Sequence, residues 1–364
     1  MITFPGRIAL GLAVVGAAAL AFTLQTPPVD TVQRGFRGTA MEQVYDPRLL
    51  RAGLELNQVP EAQPAQDPIG QPSSEAYQNV QVLGDVDAGE FLRLMAAITS
   101  WVSPQQGCAY CHNGANFADD SLYTKRVARR MIQMVRHVNA DWKSHVAGTG
   151  VTCWTCHRGQ PVPSQIWFNN AGPPHPQGLA ETGVGKNLVS PVAGLSSLPY
   201  DPFTPFLEQA SQIRVQSETA LPTGDRQSIK QTDWTYALMI HFSQSLGVNC
   251  TYCHNSRAFS QWDQSTPQRA SAWYGIRMVR DLNVDYMASL EGTFPHYRLG
   301  PSGDVAKINC ATCHQGAFKP LYGVSMLPDY QELATAGNQA VPTYPEPPSL
   351  VPAATADGEP GPWK

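Results

Sequence analysis

The sequence predicts a mainly α-helical chain with extensive irregular stretches, built from one unit used twice. Three observations predict it. Apolar residues recur at helical spacing in four separate segments, glycine and proline number 30 and 31 among 364 residues, and two distant stretches of the chain resemble each other. That length suits one large or two medium domains. Charged residues are only 15% and the formal net charge is −4, so the basic face of a nucleic-acid binder is missing and no nucleic-acid partner is expected.

The N-terminus carries one positive charge, Arg7, ahead of an uncharged run from Ile8 to Leu24. Two readings are open: a signal peptide cleaved near Ala19-Leu20-Ala21, or a transmembrane anchor near the short end of the usual range of about 17–25 residues. In both, Arg7 stays in the cytoplasm and the bulk of the chain is exported. The expected organisation is an anchor or signal over 1–26, a wrapping segment over 27–89 and a first module over 90–165. A connector over 166–230, a second module over 231–320 and a Pro-rich tail over 321–364 complete it. The wrapping, connector and tail segments are rich in proline, glycine and small polar residues and are expected to be irregular, with a few short strands.

Within the modules, Leu94, Met95, Ile98 and Trp101 predict a helix over Glu90–Val102. Leu238, Met239 and Phe242 predict one over Asp233–Leu246. Longer helices are expected over Leu122–Trp142 and Pro267–Leu290, the latter with Thr266 as N-cap and Pro267 in the first position. The duplication shows in these elements. "AYCHN" at 109–113 matches "TYCHN" at 251–255, and "MVRHVNADW" at 134–142 matches "MVRDLNVDY" at 278–286. The unit reads helix, Cys-His motif, helix, Cys-His motif, and it occurs twice.

The 8 cysteines fall as Cys108/Cys111, Cys153/Cys156, Cys250/Cys253 and Cys310/Cys313, each pair followed at once by a histidine: His112, His157, His254 and His314. Four disulfides, or two zinc sites of paired Cys-x-x-Cys units, would use every thiol but leave four histidines at identical offsets idle. Cys-x-x-Cys-His is the attachment signature of c-type haem: two thiols form thioethers and the histidine ligates iron. Four c-type haems are therefore expected. The fold class becomes a mainly α multihaem cytochrome c with two pseudo-twofold-related haem-pair modules.

A haem that only passes electrons has both axial positions filled; one that does substrate chemistry leaves one open. Met95 and Met239 sit alike on the helices before the first and third motifs. Met131 and Met134 share one face of the next helix. Met134 matches Met278 in the repeat and Met131 matches Gly275, so the repeat leaves that choice open. Among the other histidines, His175 and His296 lie in loops, His241 should face away from Met239, and His137 matches Asp281, which implies a solvated face. His145, just beyond a helix and ahead of the second motif, is the remaining candidate ligand.

With this ligand pattern the sequence resembles the tetrahaem cytochrome c subunit of purple-bacterial photosynthetic reaction centres, from about residue 30 to 325. The resemblance implies that His112 pairs with Met95, His157 with Met131, His254 with Met239, and His314 with His145 from the other half of the chain. It makes Met134 and Met278 core residues. It implies an electron relay and no enzyme: the haem on Cys250 and Cys253 re-reduces the photo-oxidised bacteriochlorophyll special pair. A soluble cytochrome c or a high-potential iron–sulfur protein refills the chain. The implied partners are the reaction-centre L and M subunits, with a light-harvesting ring as a further candidate. The implied location is the periplasmic face of the inner photosynthetic membrane. No cysteine follows the apolar run, so the lipid anchor of some family members is unavailable and a retained N-terminal helix takes its place. The competing readings are a multihaem periplasmic reductase, which needs an open haem face, and a small tetrahaem quinol dehydrogenase. The wide gap from His157 to Cys250 disagrees with the latter.

Overall fold

The structure is a computed structural model and describes residues 4–23, 30–33, 42–45, 47–170, 198–215 and 229–335. His175, most of the expected connector and the tail beyond residue 335 lie outside the described residues. Helix α1, Phe4–Thr23, has 20 residues. At about 1.5 Å per residue it reaches about 30 Å, the thickness of a bilayer's hydrocarbon core. Its Pro5–Phe22 window is apolar and none of it is buried. Strands β1 (Asp30–Gln33) and β2 (Glu42–Tyr45) pair antiparallel.

Segment 27–89 holds more regular structure than expected. Helix α2, Pro47–Leu56, starts on a proline whose missing N–H costs nothing in the first turn, and a short α3 covers Ser73–Ala76. Helix α4 runs Ala88–Val102 because Asp87 caps it: its carboxylate accepts from the Gly89 N–H at 2.8 Å and also from Ile69 and Gly70. Helix α5 spans Tyr123–Asp141, α6 Lys143–Val146 and α7 Cys153–His157. Strand β3 (Ile166–Trp167) pairs antiparallel with β4 (Lys307–Ile308), joining the end of the first module to the second. Helix α8 begins at Ile229, earlier than the expected Asp233, and ends at Leu246. Helix α9, Pro267–Asp281, does not stay α-helical to Leu290; it widens to a π-turn over Leu282–Met287 and tightens to a 3₁₀ turn over Ala288–Leu290. Helix α10 covers Cys310–His314.

Matching residues of the sequence repeat make matching bonds. Thr266 stands at the N-cap of α9, yet its hydroxyl donates to the Tyr252 carbonyl and ties the helix to the motif before it; Thr124 does the same to Tyr110. Asn139 Nδ2 donates to the Val151 and Leu333 carbonyls while Oδ1 accepts from Val151 N–H. Asn283 Nδ2 donates to the Leu207 and Ile308 carbonyls while Oδ1 accepts from Ile308 N–H. Each asparagine thus clamps the segment that leads into the second or the fourth motif.

Two apolar clusters share α5. Met134 and Val138 pack with Met278, Val279 and Leu282 of the α9 region; Ile132 and Val135 pack with Leu94, Ala97 and Trp101 of α4. His137 is not on a solvated face. It is 3% exposed, its Nδ1 lies 2.7 Å from Asp141 and its Nε2 2.7 Å from Asp281, its own equivalent in the repeat. Burial alone would lower its pKa, but the hydrogen bonds and charges of Asp281 and Asp141 raise it. Both ring nitrogens face carboxylates, which favours the protonated imidazole.

Candidate haem sites

The four motifs adopt two local geometries. The first and third are 3₁₀ turns, Gly107–Tyr110 and Cys250–Tyr252. The second and fourth are the single α-turns α7 and α10, and each starts on the same capping bond. Thr155 Oγ1 accepts from Thr152 N–H at 2.9 Å, and Thr312 Oγ1 from Asn309 N–H at 3.0 Å. Each α-turn ends on a left-handed residue, Arg158 (φ 50°) or Gln315 (φ 47°), followed by glycine. These two ends meet: Gln315 Nε2 donates to the Cys156 carbonyl, and Asn57 beyond α2 touches both, accepting from Arg158 and donating to the Gln315 carbonyl. Cys156 and Cys313 Sγ stand 2.8 Å apart without a disulfide, and the eight thiols are all free.

Every motif histidine points Nδ1 at a main-chain carbonyl. His112 reaches Phe117 O (3.1 Å), His157 Gln160 O (2.8 Å), His254 Phe259 O (2.9 Å) and His314 Ala317 O (3.0 Å). His145 does the same to Ser271 O at 2.8 Å. A carbonyl can only accept, so Nδ1 carries the proton and Nε2 is left with a lone pair, the arrangement of a metal-ligating histidine. His112 and His254 are further held by stacking on Phe117 and Phe259, at 5.0 and 4.5 Å between ring centres. Burial lowers the pKa of His145, His157 and His254, and burial together with the nearby His145 brings His314 to about 4. All four are therefore neutral imidazoles, the form a metal accepts. Burial likewise pushes Cys153, Cys253 and Cys310 up to about 12 and Cys111 to about 11.

The candidates for the opposite axial positions are distributed as follows. Met95, Met131 and Met239 are half-buried at the edges of the two clusters, whereas Met134 and Met278 are buried at 9% and 6% exposure inside them. His145 and His314, from different modules, face each other with ring centres 6.2 Å apart. Two imidazoles straddling one metal at nitrogen distances of about 2.0–2.1 Å, each ring centre about an ångström behind its nitrogen, stand about 6 Å apart. The donors present therefore fit an iron porphyrin. The other histidines do not: His241 is buried, with Nε2 3.0 Å from Ser245 Oγ, and His296 is exposed. The carbonyl acceptors and the His137–Asp281 contact were missed by sequence reasoning. The second had a signal, since opposite charges stand at matching positions of a repeat.

A mainly helical chain with Cys-x-x-Cys-His turns whose imidazoles are tethered in this way defines a c-type cytochrome. The comparisons with known proteins narrow the class. Residues 25–334 match the model of the family described as the photosynthetic reaction centre cytochrome C subunit. The photosynthetic reaction center cytochrome c subunit of Rubrivivax gelatinosus is 54% identical over 331 residues, covering 91% of this chain and 90% of that protein. Its counterpart in Thermochromatium tepidum is 49% identical (90% and 80% covered), and that of Roseobacter denitrificans 40% (90% and 91%). The chain belongs to the photosynthetic reaction centre cytochrome c subunits. It is a membrane-associated electron-transfer component that carries c-type haem and donates electrons to the reaction centre, not an enzyme. The reductase and quinol dehydrogenase readings have no support beside this.

Proposed function

We propose that this chain binds four c-type haems and returns electrons to the photo-oxidised special pair from the periplasmic face of the photosynthetic membrane, where it docks on the L and M subunits. The observation that carries the reading is the shared tether: five imidazoles, one in each motif plus His145, all give Nδ1 to a main-chain carbonyl. When bound, haem iron supplies one-electron Fe(III)/Fe(II) chemistry. Everything else is done by the chain. Cys108/Cys111, Cys153/Cys156, Cys250/Cys253 and Cys310/Cys313 hold the porphyrins covalently. Met95, Met131 and Met239 complete the sites of His112, His157 and His254 and raise their potentials. His145 completes that of His314, which is the lower one. The tethers fix ring orientation and strengthen each imidazole as a ligand.

The modules, 90–165 and 231–320, are related by an approximate twofold axis. Two contacts between equivalents, His137 with Asp281 and Cys156 with Cys313, support it, because self-matching contacts fall on a twofold. Helix α1 within 1–26 anchors the chain, 27–89 wraps it, 166–230 connects the modules, and 321–364 forms the tail. A soluble cytochrome c or high-potential iron–sulfur protein refills it, and a light-harvesting ring surrounds the assembly. Haem quantitation on the purified subunit tests the count, with four per chain expected. Flash excitation of native membranes tests the function: haem oxidation should follow oxidation of the special pair. Its absence, or rapid carbon monoxide binding at a native haem, overturns the reading.

A further inference from the structure

The register that pairs Met134 with Met278 pairs Met131 with Gly275. Carried slightly past the matched stretch, it pairs His145 with Ser289. The repeat thus exchanges bulk at these positions: methionine at 131 with serine at 289, glycine at 275 with histidine at 145. The contacts follow the exchange. Gly275 is buried on α9, and a Cβ there would come 2.6 Å from Cε1, 2.9 Å from Nδ1 and 3.2 Å from Nε2 of His145. The ring cannot easily retreat, since its Nδ1 is held 2.8 Å from the Ser271 carbonyl one turn earlier on the same helix. In the other half, Ser289 Oγ accepts from Arg130, the neighbour of Met131, at 3.0 Å.

We propose that Gly275 is a positioning residue that selects which side chain completes the fourth haem site. By lacking a side chain it withdraws the thioether that the duplicated unit would otherwise offer. It also hollows α9 so that the imidazole of His145 lies flat on the helix, gripped by Ser271, with Nε2 left to ligate. A methyl group at this point needs space that the ring occupies, because carbon atoms do not pack at 2.6 Å. The inference rests on His145 being the partner of His314.

The test uses the full-length holoprotein in native membranes and reads the ferric low-spin resonance signal and reduction potential of each haem. Gly275→Ala should change the bis-histidine signal and shift that haem's reduction equilibrium at least tenfold, about 59 mV for one electron. The three histidine–methionine haems should keep theirs. Gly275→Met should add a fourth sulfur–iron charge-transfer band and remove the bis-histidine signal. An unchanged fourth haem in either variant overturns the proposal. Equal loss at all four haems also overturns it, since Gly275 would then be a packing residue only. His145→Ala separates the two levels. If it leaves the bis-histidine signal intact, the ligand assignment itself fails. If it abolishes the signal while Gly275→Ala does not, only the role of Gly275 falls.

Discussion

Asn283→Asp is the sharpest probe of how the chain holds its fourth motif. Asn283 is 2% exposed; its Nδ2 donates to the Leu207 and Ile308 carbonyls, both at 2.9 Å, and its Oδ1 accepts from Ile308 N–H at 2.7 Å. Aspartate has the same shape, so no cavity forms and the bond from Ile308 N–H survives. The amide donor, however, becomes an oxygen facing two carbonyl oxygens. The Ile308 carbonyl keeps the Trp167 Nε1–H at 3.1 Å, so one buried acceptor, the Leu207 carbonyl, loses its donor and the variant should lose about 1–3 kcal/mol. The carboxyl can recover one bond by taking up a proton, which raises its folded pKa above the unfolded value of about 3.9. A raised folded pKa contributes stability that is complete below the unfolded pKa and is lost as pH rises through the folded one. The variant should therefore be weaker at about pH 8 than at about pH 5, unlike the parent at this site. Denaturant unfolding of the holoprotein at both pH values, followed by far-UV dichroism, reads this. A variant within about 0.5 kcal/mol of the parent at both, the scatter of ordinary surface changes, would refute the clamp.

His137→Gln removes a buried cation from between Asp141 and Asp281 and should cost about 3–5 kcal/mol in unfolding measurements near pH 6. Because the folded pKa of His137 is raised, its contribution is complete below about 6.5 and fades as pH climbs through the folded value. The gap between parent and variant should therefore narrow at alkaline pH; a constant gap would count against the ion pair. Met131→Ala should lower the second haem's potential by at least about 59 mV, a decade in its equilibrium. Met134→Ala should cost about 2–5 kcal/mol of stability with little change of potential, and redox titration yielding the reverse would exchange their roles. Gly247→Ala places a methyl on the Gly316 carbonyl at a residue with φ +63°. Left-handed strain of about 1–2 kcal/mol adds to that collision, and the yield of fully haem-loaded protein should fall; an unchanged yield and melting point would show that the two backbones can part.

The haem sites were readable in the sequence to different depths. Cys-x-x-Cys-His is a covalent requirement, so the motif residues stand out without any fold. The helices were readable because α4, α5, α8 and α9 each bury one face, although α9 leaves the α form after Asp281 where its pitch widens. What was hidden depends on the main chain. The acceptors for Nδ1 are carbonyls of Phe117, Gln160, Phe259 and Ala317, set by turn geometry and not by residue type. Helix α2 hid in a Pro-rich segment. His137 was misread for an instructive reason: an aspartate at the equivalent position looks like a shared solvated face when the halves are compared as separate strings. These two matching positions are the ones that touch, 2.7 Å apart.

The two motif geometries differ in what surrounds them. The 3₁₀ motifs stack their imidazoles on Phe117 and Phe259, which are 56% and 48% exposed. The α-turn motifs turn inward, with Cys156 against Cys313 and their left-handed ends tied through Asn57. The second and fourth motifs are also the ones with clamping asparagines and the tethered His145. The motifs thus alternate along the chain, a 3₁₀ turn, an α-turn, a 3₁₀ turn and an α-turn, in the order of the sequence repeat.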